Sequence, residues 1–253
     1  MTLVTCQRSV EAMATRFDVW LRGFDAEHLD AVAVLVCEEI QRLDTLLSRF
    51  DKRSEITRVN RERCARLDRE LFALLERCER ARVETDGYFD ATLCAALELN
   101  IEACAVRLTK AEAALDLGAL GKGYALDCGR EITLRYGVTS ALLQGGTSSI
   151  LALGDEAWPI AVRHPLQPER SVRQLALTNR GFSCSAVRHP GQTQADVLNP
   201  RTGELLQGAD ACFVLAASAT DAEIYSTALL AMGKTTAATF LAQKDLEVGW
   251  INA

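Results

Sequence analysis

The chain has 253 residues, of which 49% are hydrophobic and 25% charged, a composition typical of globular proteins. Its formal net charge of -6 argues against a nucleic-acid or anionic-membrane partner, because phosphate groups are bound by basic faces. No segment approaches the roughly 20 apolar residues that span a bilayer. The N-terminal stretch also lacks the basic and apolar regions of a signal peptide, so we expect a cytoplasmic protein. The nine cysteines form no CxxC pair, which favours reduced thiols over a zinc site.

The first part of the chain predicts one strand followed by two long helices. The segment "ATRFDVWLRG" alternates polar and apolar residues, as an opening strand does. Apolar residues at steps of three and four then follow Asp25 and predict an amphipathic helix. A second helix is predicted from about Leu67 to Thr85, with Asp68 as its N-cap and Asp86-Gly87 as its stop. Two long helices this early favour a layered α+β fold.

The second part predicts a mainly antiparallel sheet. From Leu142 onward, short apolar runs are separated by turn residues, and the connections are too short for crossover helices. Helices are predicted from about Asp221 to Met232 and from Thr235 to Gln243, and "EVGWINA" predicts a last strand. No repeat, low-complexity tract or linker marks a boundary. The sequence therefore predicts a single α+β domain over 1–253, with a mainly antiparallel sheet packed against long helices.

The stretch "ALDLGALGKGYALD" contains the first candidate site. Gly118, Gly121 and Gly123 lie between a predicted short strand, "AALDL", and a predicted helix. Backbone N–H groups at the start of a helix favour phosphate, and Lys122 would add a positive charge. The Walker A pattern GxxxxGK[ST] is not met. The two interpretations are a phosphate cradle and a simple glycine turn with an exposed lysine.

The segment "DAEIYSTALLAMG" contains the second candidate site. Glu223 and Thr227 are four residues apart on a predicted helix and therefore share one face. Two hard oxygen ligands suit Mg²⁺ if other oxygens complete the octahedron; the alternative is a solvated helix face. A third segment, "ADVLNPRTGE", predicts a short strand and a turn, where Arg201 either pairs with a phosphate or is simply exposed.

Seven segments, distributed over nearly the whole chain, form the most specific pattern. They are "MATRFDVWL", "LLSRFDKRSEITRVN", "TDGYFDATL", "LDLGALGKGYALD", "GGTSSILALG", "LNPRTG" and "DAEIYSTALLAMG". In this order they resemble the FAD:protein FMN transferase family, also called the ApbE family. The resemblance implies a T-fold-like α+β architecture. It also implies a transferase that uses Mg²⁺ to move the FMN half of FAD onto a threonine hydroxyl of a target flavoprotein, releasing AMP.

The same resemblance implies the roles of individual residues. Asp116 and Lys122 would hold the nucleotide, with Lys122 near the pyrophosphate. Val197, on a strand before the Pro-Arg-Thr-Gly turn, would approach the flavin through its backbone. The residues implied to line the flavin and adenosine portions are Met13, Phe50, Tyr88, Phe89 and Asp90. The implied Mg²⁺ ligands are the carbonyl of Ala119 and the side chains of Glu223 and Thr227.

The chain departs from the family pattern at the position of the expected base. The family's histidine is Asp196 here, which becomes the predicted catalytic residue, and Asn199 replaces a carboxylate. Glu223 replaces the family's metal-binding aspartate. Of the histidines present, His189 lies in a loop near the missing position. The departures leave two alternatives to a transferase: an FAD-binding relative with weak or no activity, and a pyrophosphatase that converts FAD to FMN and AMP.

Overall fold

The computed structural model describes residues 2–192, 195, 197–208, 210–242, 244 and 246–252. Its strands are β1 (Val4–Ala12), β2 (Thr15–Gly23), β3 (Cys64–Arg66), β4 (Leu97–Asn100), β5 (Ala105–Leu108), β6 (Ser140–Gly145), β7 (Ser149–Leu153), β8 (Trp158–His164), β9 (Gln167–Leu177), β10 (Gly181–Ala186), β11 (Ala211–Ala216) and β12 (Glu247–Ile251). Its helices are α1 (Ala26–Leu47), α2 (Glu55–Glu62), α3 (Arg69–Glu84), α4 (Gly121–Arg135) and α5 (Ala219–Leu241). Within the described residues, no helix is both long and apolar enough to cross a membrane.

A seven-stranded sheet organises the fold. Its order is β1-β2-β6-β7-β10-β11-β12, and every neighbouring pair is antiparallel. Helices α1, α4 and α5 pack on one face of this sheet. A separate three-stranded sheet has the order β3-β5-β4. The predicted α+β class with a mainly antiparallel sheet is confirmed.

The β8–β9 hairpin contributes to a second apolar cluster. Trp158 and Ile160 of β8 and Leu177 of β9 are buried in one cluster with Phe182 and Phe213 of the large sheet. The two phenylalanine rings lie 5.9 Å apart, within the range of favourable aromatic pairs. Burial of this apolar surface holds the hairpin against β10 and β11.

The predicted helices form where their caps indicate. Asp25 accepts the N–H groups of Glu27 and His28 at the start of α1, and Asp68 accepts the N–H of Leu71 at the start of α3. The two helices predicted after Asp221 form one element, α5, which begins at Ala219. Gly233 interrupts it with φ 69° and ψ 163°, so the predicted break is present as a kink.

Two predicted strands do not form as regular strands in the part of the chain that the structure describes, and both predictions are corrected. In the segment before α4, the N–H of Leu115 donates to the side chain of Asn60, and the N–H of Asp116 donates to the carbonyl of Ala91. These single bonds replace a strand ladder, so the predicted strand at 113–117 is irregular. Among the described residues of the predicted strand at Val197, Leu198 forms an isolated bridge with Leu205, and the carbonyl of Val197 accepts the N–H of Leu206 at 2.9 Å.

Candidate active site

One cavity of about 360 Å³ lies among the loop after α3, the turn before α4, strand β10, the segment 197–200 and helix α5. Its lining includes backbone and side chains from both halves of the sequence. The sheet and its helices are therefore what bring the distant segments together.

Nine of the predicted site residues line this cavity. They are Tyr88, Phe89, Asp90, Asp116, Ala119, Lys122, Val197, Glu223 and Thr227. The glycine turn and the helix that carries Glu223 therefore lie side by side, as a shared phosphate and metal site requires. The individual roles of these residues remain predictions.

Glu223 lies at the centre of a buried polar network. Its side chain is 3% exposed. The N–H of Gly123 donates to Oε2 at 2.7 Å, the hydroxyl of Ser149 donates to Oε1 at 2.5 Å, and Nζ of Lys122 lies 2.9 Å from Oε1. No side chain of the preceding turn caps α4, so the carboxylate of Glu223 takes that place at the positive end of the helix.

Helices α4 and α5 meet closely at their N-termini. A Cβ added to Gly123 would lie 2.4 Å from the carbonyl oxygen of Ala219, so only glycine fits there. Asp127 of α4 accepts the N–H groups of Ala219 and Thr220 at 3.0 and 2.9 Å, and the hydroxyl of Thr220 at 2.5 Å. Burial raises the pKa of Asp127, and the hydrogen bonds from Thr220 and Ala219 oppose that shift.

The two aspartates of the cavity lining have structural contacts of their own. Asp90 accepts the N–H and hydroxyl of Thr92 at 2.7 and 2.8 Å and the N–H of Ala95 at 2.5 Å. Asp116 accepts the N–H of Gly118 at 2.9 Å and pairs with Arg49 at 3.1 Å. Both carboxylates therefore shape the loops that form the cavity wall.

Serine hydroxyls are the part of the site that sequence reasoning missed. Ser185 lies 2.8 Å from the hydroxyl of Ser226 and 3.3 Å from that of Thr227, and Ser226 donates to Ser183 at 3.1 Å. Ser149 bonds Glu223 directly. No local pattern predicts these contacts, because the partners of Ser149, Ser183 and Ser185 lie on helix α5.

Two predicted residues do not line the cavity, and a third lies outside the described residues. Met13 has φ 51° and donates its N–H to Asp44 at 2.9 Å. Phe50 is 81% exposed and has the guanidinium of Arg49 4.7 Å from its ring. Asp196 lies outside the described residues. The assignments of these three residues stay predictions.

Arg201, the other candidate phosphate ligand, has different partners. It pairs with Asp86 at 2.7 Å, and its guanidinium lies 4.9 Å from the ring centre of Tyr88. Asn199 accepts the N–H of Arg201 at 3.0 Å and donates to the carbonyl of Ala231 at 3.3 Å. These contacts fix the Pro-Arg-Thr-Gly turn against the rest of the fold.

The oxygen donors of the cavity fit a hard divalent cation. Glu223 and Thr227 lie one helical turn apart on α5 and, with Ala119, line the same cavity. The ammonium of Lys122 is paired with Oε1 of Glu223, so a metal cation could bind that oxygen only if Lys122 moved. A pyrophosphate in the same cavity would offer Lys122 an alternative anionic partner.

Solved and curated proteins share this fold and sequence pattern. The ApbE protein of Thermotoga maritima superposes with a TM-score of 0.85 at 20% identity, covering 94% of this chain and 90% of that chain. At this identity the likeness establishes the fold, an α+β ApbE fold. An FAD:protein FMN transferase of Rhodobacter capsulatus is 27% identical over 54% of this chain and 28% of its own length. One of Klebsiella pneumoniae is 26% identical over 58% of this chain and 48% of its own length.

A family model that matches most of the chain identifies the family to which it belongs. The family model described as "ApbE family" matches residues 13–103 and 94–250. This chain belongs to the ApbE family. It spans less than half the length of the two curated relatives that it matches.

Proposed function

We propose that this chain, acting as one ApbE-like unit, transfers the FMN half of FAD to a threonine hydroxyl of a target flavoprotein and releases AMP. The observation that carries the proposal is the meeting of the glycine turn, Lys122, Glu223 and Thr227 in one cavity. The names of the two curated relatives support FAD and a protein as the two substrates.

The start of α4 is the proposed site of the pyrophosphate. Its positive dipole and the ammonium of Lys122 both favour a doubly charged anion at this position. Tyr88, which is half-buried, offers aromatic surface to a ring of the substrate, and Phe89, 2% exposed, supports the same cavity wall from the core. Ala119, Glu223 and Thr227 would hold Mg²⁺, which polarises the FMN-side phosphorus and neutralises charge on the departing AMP.

The proposed reaction is an in-line displacement at phosphorus. The threonine oxygen forms a bond to the FMN-side phosphorus, and the bond from that phosphorus to the bridging oxygen breaks. The electron pair of the broken bond stays on AMP. The threonine proton passes to a base, for which the family pattern predicts Asp196.

A second candidate function is FAD binding with weak or no transfer. The ion pair between Lys122 and Glu223 favours it, because a proposed metal ligand and a proposed phosphate ligand neutralise each other. In that case the chain would act as a flavin carrier.

One assay separates these functions. Purified protein is incubated with FAD, Mg²⁺ and a flavoprotein domain that carries the acceptor threonine, and the mass of that domain is followed. A gain of one FMN group supports transfer, and the same domain with threonine replaced by alanine is the control. Release of FMN and AMP without a mass gain would indicate a pyrophosphatase. Bound, unchanged FAD would indicate a carrier.

A further inference from the structure

A second cavity adjoins the large one beneath the β8–β9 hairpin. It measures about 140 Å³, and its lining includes Arg163 and His164 at the end of β8. Ser148, Cys184, Ala186 and His189 line both cavities, so the two meet along these residues. It has less than half the volume of the larger cavity, so it suits a single side chain such as threonine better than a nucleotide. Size therefore distinguishes the two cavities.

Only one of the three histidines lies where the cavities meet. His28, at the start of α1, has Nε2 2.8 Å from the carbonyl of Tyr136. His164 is buried, and its Nδ1 accepts the N–H of Leu166 at 3.2 Å. Within the part of the chain that the structure describes, His189 alone among the histidines lines the cavity of Lys122, Glu223 and Thr227.

The backbone of His189 is fixed by a turn just beyond β10. Its N–H donates to Oε1 of Gln192 at 2.8 Å, and the N–H of Gln192 donates to the carbonyl of His189 at 3.1 Å. Gly191, with φ 82°, supplies the conformation that this turn needs. The residue itself is exposed, so a proton taken up by its ring can pass to solvent.

We propose that His189 is the base for the acceptor, and that the threonine enters through the smaller cavity. This inference rests on the proposed transferase function. The threonine proton moves to a ring nitrogen of His189 while the oxygen bonds to the FMN-side phosphorus and AMP departs with the electron pair. Imidazole is the side chain that most often performs this task in enzymes. His189 thus takes the role that the family pattern predicts for Asp196.

The test compares four single variants in the FMN-transfer assay: His189→Ala, His189→Gln, Asp196→Asn and His28→Gln. Loss of a positioned base lowers turnover by about 10²- to 10⁴-fold, and we expect this for both His189 variants. Affinity for FAD, measured by quenching of flavin fluorescence, should stay within about twofold, since the base acts on the acceptor. His28→Gln is the matched control and should transfer at the wild-type rate.

Added imidazole distinguishes a base from a structural residue. It should restore part of the turnover of His189→Ala and leave the wild type unchanged. Turnover at the wild-type rate in His189→Ala would overturn the inference. Turnover at the wild-type rate in His189→Gln without added imidazole would overturn it as well. A larger loss in Asp196→Asn than in His189→Ala would return the role to Asp196. A wild-type protein that binds FAD and neither transfers FMN nor releases AMP would instead remove the proposed function, and the His189 assignment with it.

Discussion

Lys122 and Glu223 form an ion pair inside the candidate site, with Nζ 2.9 Å from Oε1. Lys122 belongs to the first turn of α4 and Glu223 to the first turns of α5, so the pair joins the two helices at their N-termini. A carboxylate that is 3% exposed needs charged or polar partners, because burial of an unpaired charge costs several kcal/mol. The pair therefore contributes to the stability of the fold as well as to the charge of the cavity.

The first prediction concerns the stability of this pair. Lys122→Met leaves Glu223 without its ammonium partner, and we expect the free energy of unfolding to fall by about 1–3 kcal/mol. Glu223→Gln should also destabilise. The double variant should lose less than the sum of the two single losses, because the residues are coupled. Urea unfolding of all four proteins measures this.

The control for the ion pair is Arg107→Met. Arg107 and Glu98 form a pair whose side chains are 63% and 56% exposed, so its loss should cost less than about 1 kcal/mol. Strict additivity of the Lys122 and Glu223 variants would show that the two side chains do not interact in solution.

The second prediction separates metal binding from flavin binding. If Glu223 is a ligand of Mg²⁺, Glu223→Ala should lower Mg²⁺-dependent turnover more than it lowers FAD affinity. The reason is that the carboxylate would face the cation, while the rings of FAD would contact other walls of the cavity. Turnover across a magnesium series and fluorescence titration with FAD give the two quantities. Equal turnover with and without the carboxylate would contradict the metal assignment.

The third prediction concerns the close approach of α4 and α5. A methyl group at Gly123 would meet backbone atoms of Ala219 and Thr220 at 2.4–2.9 Å, and backbone cannot move aside as a flexible side chain can. Gly123→Ala should therefore lower the free energy of unfolding by about 1–3 kcal/mol. It should also weaken FAD binding, since the helix start would shift.

Gly121→Ala is the matched control in the same turn. An added Cβ there would lie 3.8 Å from its nearest neighbours, Leu47 and Met13, which is ordinary contact. We expect its stability to stay within about 1 kcal/mol of the wild type, because alanine also favours the helix. Equal melting temperatures for the two variants would contradict the close-packing argument.

Local chemistry made the helices predictable. Capping aspartates precede α1 and α3, and apolar spacing defines their buried faces. Strand β1 was missed because Arg8 interrupts the alternation of Val4, Cys6, Val10 and Ala12 with polar residues, and most of the strand is exposed at the edge of the sheet. The segment 113–117 is mostly apolar, as a strand is, yet its backbone at Leu115 bonds to the side chain of Asn60 instead of to a neighbouring strand.

The candidate site was predictable only in part, because some of its contacts join elements that are distant in the sequence. Glu223 and Thr227 share a helix face, which periodicity predicts, and the resemblance places Lys122 and Asp116 near them. The contact of Ser149 with Glu223 depends on the packing of β7 against α5, which no local pattern encodes. The position of His189 at the meeting of two cavities likewise depends on the hairpin β8–β9.

The last prediction concerns Cys184, which lines both cavities. Burial raises the pKa of its thiol to about 12, so the thiolate fraction at neutral pH is far below that of an ordinary cysteine. Cys64, by contrast, is exposed on β3. At pH 8, iodoacetamide should alkylate Cys64 and leave Cys184 unmodified, and reaction at Cys184 should rise as the pH approaches the raised pKa. Peptide mass spectrometry measures both sites, and unfolding in urea should make them react alike. Alkylation of native Cys184 at the rate of Cys64 would contradict this prediction. It would show that solvent reaches this wall freely and that the boundary between the two cavities is more open than in the structure.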